Sequence, residues 1–310
     1  MLITKEKHYN TLNNYYLDKY GKKVFKVSLN AGFTCPNIDG TVAYGGCTFC
    51  SYLGSGEFAG KKSDSLSKQF HDVKTRMHKK WPDAYYIPYF QANTNTHAPL
   101  DVLKELFEEA ITLDPLIVEL SIGTRPDCLP QDVIDYLGEL NTRIPVQVEL
   151  GLQTIHEKTA ILVNRAHNLE VFDDAVKRLR KHNIEVVVHV INGLPGETKE
   201  MMLDTIKHLN NLDIQGIKIH MLNILSNSKM GREYLKEPFK LISREQYIDI
   251  VVNQIRLLKR DIIIHRLTGD GSRKYLIEPK WIMRKFTVMN DIDKMLRKNK
   301  WYQGDLYEQK

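Results

Sequence analysis

The stretch PVQVELGLQTIHEKTAILVNRAHNLEVFDDAVKRLRKHNIEVVVHVI, residues 145–191, decides the fold. It opens on a β-branched run, PVQVEL, and closes on another, IEVVVHVI. Between them, LEVFDDAVKRLRKH (169–182) spaces its apolar residues by three and four, the period of an amphipathic helix. Strand, helix and strand within this length make a parallel βαβ unit with a right-handed crossover. The alternation continues on both sides. VFKVSLN (24–30), AYYIPYF (84–90), LIVELSI (116–122), GIKIHML (216–222) and DIIIHRL (261–267) are further candidate strands. LDVLKELFEEAITL (100–113), LPQDVIDYLGEL (129–140), KEMMLDTIKHLNNL (199–212) and REQYIDIVVNQIRLLKR (244–260) read as helices. The expected class is α/β, a partial or full parallel (β/α) barrel, with a doubly wound open sheet as the alternative. The barrel is expected over residues 21–275, between an N-terminal extension at 1–20 and a basic, aromatic C-terminal extension at 276–310.

Composition agrees. A chain of 310 residues is within reach of one barrel. With 42% hydrophobic and 26% charged residues it is neither a disordered tail nor a fibre nor a disulfide scaffold. Mean hydropathy is −0.37, and no apolar run reaches the roughly 18 residues of a transmembrane helix. The opening MLITKEKHYNTLNNYYLDKYGKK (1–23) lacks the apolar stretch of a signal peptide, so a cytoplasmic location and no membrane partner are expected. Net charge is +6, which permits a polyanionic partner. Residues 61–80 hold Lys61, Lys62, Lys68, Lys74, Arg76, Lys79 and Lys80 against Asp64 and Asp72, a solvated helix face or a nucleic-acid contact. The tail, with Lys280, Trp281, Arg284, Lys285, Arg297, Trp301 and Tyr302, reads as a docking helix or a partner-binding extension.

Special residues gather just after the strands: SLNAGFTCPN (28–37), QANTNTHAP (91–99), GTRPDC (123–128), GLQT (151–154) and NGLPGET (192–198). Chemistry in parallel barrels sits at the carboxyl ends of strands, so these segments share one mouth. Three of the four cysteines, Cys35, Cys47 and Cys50, fall in one C-x11-C-x2-C segment. In a reducing compartment such a cluster reads as a metal site before it reads as a disulfide. Gly45 and Gly46 let the backbone bring Cys35 to the other two. Three thiolates without a fourth ligand favour a [4Fe–4S] cluster with one open iron. A zinc site remains the alternative if His8 or His97 completes it. Cys128 stands apart, as a small half-buried residue.

GFTCPNIDGTVAYGGCTFC (32–50) resembles the cluster loop of a bacterial radical S-adenosylmethionine (SAM) family related to the Elongator catalytic subunit and to oxygen-independent coproporphyrinogen oxidase. YFQANTNTHAP (89–99), ELSIGTRPDC (119–128), VELGLQT (148–154), NRAH (164–167), INGLPGET (191–198), GIKIHMLNIL (216–225) and HRLTGDGSR (265–273) extend the resemblance over about residues 15–300. The resemblance implies a [4Fe–4S] cluster on Cys35, Cys47 and Cys50, and SAM cleaved reductively to a 5′-deoxyadenosyl radical. It implies Phe49 beside the adenine, Asn93 and Thr94 near the methionyl amine, and Glu149 and Gln153 near the ribose and methionyl end. It also implies Arg165 on the SAM carboxylate and Gly193 in the turn that supports adenine. Arg125, Asp127, Arg266, Asp270 and Arg273 are candidates for the substrate side.

The implied substrate is tRNA, at the C5 side chain of the wobble uridine, in a carboxymethylaminomethyl to aminomethyl step. Such a base would be flipped out of its stack. The implied electron donor is a flavodoxin or ferredoxin. Alternatives are a radical SAM enzyme acting on a small metabolite and a non-catalytic zinc-binding RNA module. With only Cys128 left over, a second fully cysteine-ligated cluster is not expected.

Overall fold

The computed structural model describes residues 7–51, 59–269 and 271–308. The expected strands are β1 (Val24–Leu29), β2 (Tyr85–Phe90), β3 (Leu120–Thr124), β4 (Val146–Gln153), β5 (Glu185–Asn192) and β6 (Gly216–Met221). A short β7 (Ile224–Leu225), β8 (Ile263–Arg266) and β9 (Leu276–Glu278) follow. The main sheet has seven strands in the order β1-β2-β3-β4-β5-β6-β8, all parallel. Because the order never reverses, there is no switch point, and the doubly wound alternative is excluded. β7 and β9 form a separate antiparallel pair.

The helices are α1 (Leu12–Tyr20), α2 (Leu66–His78), α3 (Leu100–Thr112), α4 (Gln131–Asn141), α5 (Glu157–Leu162) and α6 (Leu169–Lys181). α7 (Lys199–Leu209), α8 (Lys229–Lys236), α9 (Arg244–Leu257) and α10 (Lys285–Asn299) complete them. Their starts are written locally: Asn168 and Thr198 cap α6 and α7, and Ser243 with Gln246 makes a capping box on α9. None of the described helices is long and apolar enough to cross a membrane.

Two strand boundaries differ most from expectation. β3 starts late, because Asp114 Oδ1 accepts from Leu116 N (3.0 Å) and turns the chain there. Ile117 then makes only an isolated bridge to Tyr86. β4 runs on to Gln153 through an irregularity after Gly151, with Gln153 at a φ of 63°.

The sheet has an apolar outside and a polar inside. Val27, Leu29, Ile122, Val148, Leu150, Val186, Val188, Ile217 and Ile219 are buried under the helices. Full burial of each such side chain contributes about 1.5–3 kcal/mol. The opposite face carries Lys26, Tyr89, Ser121, Gln147, Glu149, His189 and Lys218. Lys26 Nζ of β1 and Lys218 Nζ of β6 both reach the Glu149 carboxylate of β4, each at 2.5 Å. In a flat sheet β1 and β4 would lie about 14 Å apart, beyond a lysine's reach to a glutamate. The sheet is therefore curled into a half-barrel around that carboxylate.

α1 seals the amino-end of the half-barrel. Tyr16, Lys19 and Tyr20 donate to Glu119 at 3.0, 2.7 and 2.8 Å, and Tyr15 donates to Glu185 at 3.1 Å. Asn10 O accepts from Ile264 N (2.8 Å), so the segment before α1 covers the edge of β8. The tail is docked too. Trp281 packs on Tyr247, Arg256 stacks on Trp301 and Arg260 on Tyr302. These aromatic residues are engaged by the fold, although Tyr302 stays 39% exposed.

α8 ties the carboxyl-terminal third to the cysteine segment. Ser228 caps α8, Ser51 bridges Ser228, and Met230 N donates to Thr48 O at 2.7 Å. A Cβ on Gly231 would lie 1.8 Å from Leu225 O, so α8 can sit this close only with glycine there.

Two outcomes are expected. Glu149→Gln leaves the Lys26 and Lys218 side chains without the buried carboxylate they share, so its urea midpoint should fall by the equivalent of about 3–5 kcal/mol. A midpoint within error of the parent's would contradict the Glu149 cage. Gly231→Ala should push α8 off the cysteine segment, and iron retained per chain after anaerobic reconstitution should drop. Unchanged iron content would show that α8 does not position that segment.

Candidate functional site at the barrel mouth

The cysteine segment leaves β1 and folds back on itself. Pro36 O accepts from Val42 N (2.9 Å), and Asn37 O accepts from Gly46 N (2.7 Å). Gly45 and Gly46 take φ of 83° and 70°, the left-handed region in which glycine carries no Cβ penalty. Cys47 O accepts from Cys50 N at 3.0 Å, a tight turn that sets these two side by side. All four cysteines are free thiols.

Neighbouring segments fix this loop from several directions. Thr48 N donates to Val163 O (2.9 Å), and Asn164 Nδ2 donates to Gly46 O (2.8 Å). Asn37 Nδ2 donates to Asn164 O at 2.6 Å and lies 3.6 Å from Cys47 Sγ. Thr94 N donates to Thr34 O (3.1 Å), and Asn93 Nδ2 to Phe33 O (2.9 Å).

The electrostatics favour thiolate at one position. A hydrogen bond from the Cys50 thiol holds the Cys47 thiol below its ordinary value; burial opposes this, while Arg125, Asn37 and Arg165 assist. The same bond, burial, and the charges of Cys47 and Cys35 push Cys50 well up. Arg125 is held in its charged form by Asp127 and then by the Cys35 and Cys47 charges, against its burial. Three thiols beside a fixed guanidinium fit the donor set of a [4Fe–4S] cluster with three cysteine ligands. They do not make a ready zinc site. Among the described residues no three His, Cys, Asp or Glu side chains meet at one ion position. Of the histidines expected as a fourth ligand, His8 Nδ1 bonds Trp301 O (2.6 Å) and His97 pairs with Asp39 (3.0 Å). Cys128 is buried, and burial followed by the Asp127 charge pushes its thiol up to about 12.

The residues expected around SAM fall into two groups. Phe49 sits in the cysteine segment, and Asn93, Thr94, Gln153 and Gly193 at or just beyond strand ends, with Asn93 bonded to Phe33 O and Thr94 buried. Phe49 is half-buried in the apolar cluster that contains Leu194 and Met230. Gly193 has a φ of 84°, and a Cβ there would meet Ile242 and Met221 at 3.2 Å, so the turn requires glycine. Glu149 and Arg165 are instead engaged by the protein. Arg165 is 1% exposed. It donates to the carbonyls of Leu152 (2.9 Å), Thr154 (2.5 Å) and His167 (3.0 and 2.8 Å), and to Glu157 (3.1 Å). A bond to a ligand carboxylate would replace one of these. Glu149 lies deeper, bonded by Lys26, Lys218, Tyr89 (2.6 Å) and His189 (2.7 Å). Burial alone would raise its pKa, but Lys218, Lys26 and His189 outweigh burial and hold it well below the carboxylate range.

The substrate-side candidates do not form one group. Arg125 pairs with Asp127 through two bonds (2.9 and 2.7 Å) and donates to Arg165 O, placing both beside the cysteines. Arg266 ends β8, and its charge is felt by Tyr89, His189, Lys218 and His220 inside the barrel. Arg273 is exposed in the following loop. Asp270 lies outside the described residues. Sequence reasoning missed the interior set Lys26, Tyr89, Lys218, His220 and His265. The signal was present, because strands buried on both faces read as continuous apolar runs, whereas GIKIHM alternates.

Comparison with known proteins places this geometry. Residues 41–209 match the model of the Radical SAM superfamily, and residues 214–298 that of the Radical_SAM C-terminal domain. The uncharacterized protein YtqA of Bacillus subtilis is 52% identical over 98% of this chain and 94% of its own length. The tRNA uridine(34) acetyltransferase of Methanocaldococcus infernus is 27% identical over 52% of this chain, and the match spans 30% of that protein. The solved structure of archaeal Methanocaldococcus infernus Elp3 shares the fold, with a TM-score of 0.68 and 16% identity over 91% of this chain and 64% of that one. Enzymes of this superfamily use a [4Fe–4S] cluster and SAM and draw an electron from a reductant. With its half-barrel, its three gathered cysteines and a family match over more than half its length, the chain belongs to the radical SAM superfamily.

Proposed function

We propose that this radical SAM enzyme modifies tRNA at the C5 side chain of the wobble uridine, in the carboxymethylaminomethyl to aminomethyl step. Cys35, Cys47 and Cys50 hold the cluster. The observation that carries the chemistry is the gathering of these thiols beside Arg125 at the mouth of a half-barrel. The partial likeness to a tRNA uridine(34) acetyltransferase supports the substrate, as does the net charge of +6.

The bound cluster and SAM would supply an adenosyl radical for hydrogen abstraction at the carboxymethyl carbon; return of one electron to the oxidised cluster and addition of water would then break the C–N bond, releasing the two carbons as glyoxylate and leaving the amine. The chain's own part is binding and exclusion of water. Asn93 and Thr94 present oxygens for the methionyl amine, Phe49 a ring for the adenine, and Gln153 and Gly193 polar and backbone contacts at the ends of β4 and β5. Arg165 holds the end of β4 and reaches the SAM carboxylate only by exchanging a carbonyl partner. Flavodoxin or ferredoxin supplies the electron, in the cytoplasm.

The basic patch at 61–80 is smaller than its sequence suggests. Lys68 is paired with Asp72 and Asp64, and Lys74 with Asp114. Lys61, Lys62, Arg76, Lys79 and Lys80 remain exposed, and they are the phosphate contacts of this reading. The test is nucleoside analysis of tRNA from a deletion strain. The expected result is accumulation of the carboxymethylaminomethyl side chain, reversed by the parent gene and not by Cys47→Ala. An unchanged nucleoside profile, with no salt-dependent tRNA binding, would contradict the tRNA reading and favour a small-molecule substrate.

A further inference from the structure

Among the described residues, the half-barrel below the cysteine segment sets two lysines against one central acid. That acid is Glu149, which faces Lys26 and Lys218. The other acids of the interior lie lower and are already engaged: Glu119 by Lys19, Tyr16 and Tyr20, and Glu185 by Tyr15 and Gln147.

Donor capacity is also left over at this depth. The Lys218 ammonium has three N–H donors. One goes to Glu149, and the group lies 4.7 Å from the centre of the Tyr89 ring. His220 stacks on His189 at 5.2 Å, and its Nε2 has no hydrogen-bond partner. Solvent reaches this level in part: the His189 side chain is 24% exposed and that of Lys218 10%.

We propose that this interior is a subsite for an acidic group of the substrate, a carboxylate or a phosphate, taken by Lys218 with His220 beside it. The inference rests on membership of the superfamily and holds whether the acid belongs to a nucleotide or to a metabolite. Titration of Lys218 makes it testable. Burial lowers its pKa to about 7, with Lys26 and Arg266 adding to that and Glu149 opposing it. Among the described residues, the other titratable groups facing it are Tyr89 and three histidines. Tyr89 is held protonated by burial and by Glu149, while His189, His220 and His265 are held neutral, chiefly by burial. An arriving anion favours the ammonium, so its binding takes up a proton near neutral pH.

The experiment is competitive acylation of the anaerobically reconstituted protein at neutral pH, read at Lys218 by peptide mass spectrometry. Inorganic phosphate and glutarate are the probes, with chloride at matched ionic strength as the control. Lys218 labelling should rise as the pH passes upward through about 7. A probe at four times its dissociation constant should slow Lys218 labelling about fivefold, where chloride does not. Protection by phosphate alone assigns a phosphate, and by glutarate alone a carboxylate. Protection should weaken in His220→Phe. Equal labelling with and without both probes, or a Lys218 unreactive at neutral pH, would overturn the subsite. Neither outcome depends on the tRNA nucleoside result, so the two readings fail separately.

Discussion

The carboxylate of Glu149 is the constraint on which the rest of the half-barrel depends. A charge so deeply buried persists only when paired, and here the partners come from strands on both sides of β4. Lys26 reaches across from β1, Lys218 from β6, Tyr89 from β2 and His189 from β5. Satisfying one carboxylate therefore draws the sheet into a curve. The curve brings the carboxyl ends of the strands around one mouth, where the loops carrying Cys35, Asn93, Arg125, Gln153 and Gly193 meet. Apolar burial under the helices supplies most of the stability, and the interior charges specify the shape.

The mouth is organised by backbone contacts more than by side-chain chemistry. Thr48 is held between Val163 and Met230, and Asn164 threads its amide and carbonyl into the cysteine segment. Arg165, 1% exposed, fastens the end of β4 to the turn that carries Asn164. The cysteine segment is thus gripped by elements far apart in the chain, including α8 of the carboxyl-terminal third. Arg125 stands beside it as a fixed positive charge, suited to thiolates.

Much of this was legible in the sequence. β-branched runs separated by helical periodicity led to seven parallel strands in order, since each such unit allows one handedness of crossover. The cysteine spacing led to the mouth. What stayed hidden depends on curvature. Lys26 and Lys218 are almost 200 positions apart and read as ordinary polar residues until the sheet closes on Glu149. Glu149 and Arg165 look like free ligand groups because sequence does not reveal that carbonyls and lysines already occupy them. Lys68 and Lys74 look like a basic patch until Asp72 and Asp114 are seen against them.

The central claim is that Cys35, Cys47 and Cys50 hold one [4Fe–4S] cluster open to SAM at this mouth. The most direct measurement is the EPR spectrum of the anaerobically reconstituted, dithionite-reduced protein with and without SAM, together with an assay for 5′-deoxyadenosine. The account predicts a reduced-cluster signal that shifts on adding SAM, with nucleoside formed, and both lost in Cys47→Ala. A colourless protein carrying stoichiometric zinc, with no SAM cleavage, would contradict it.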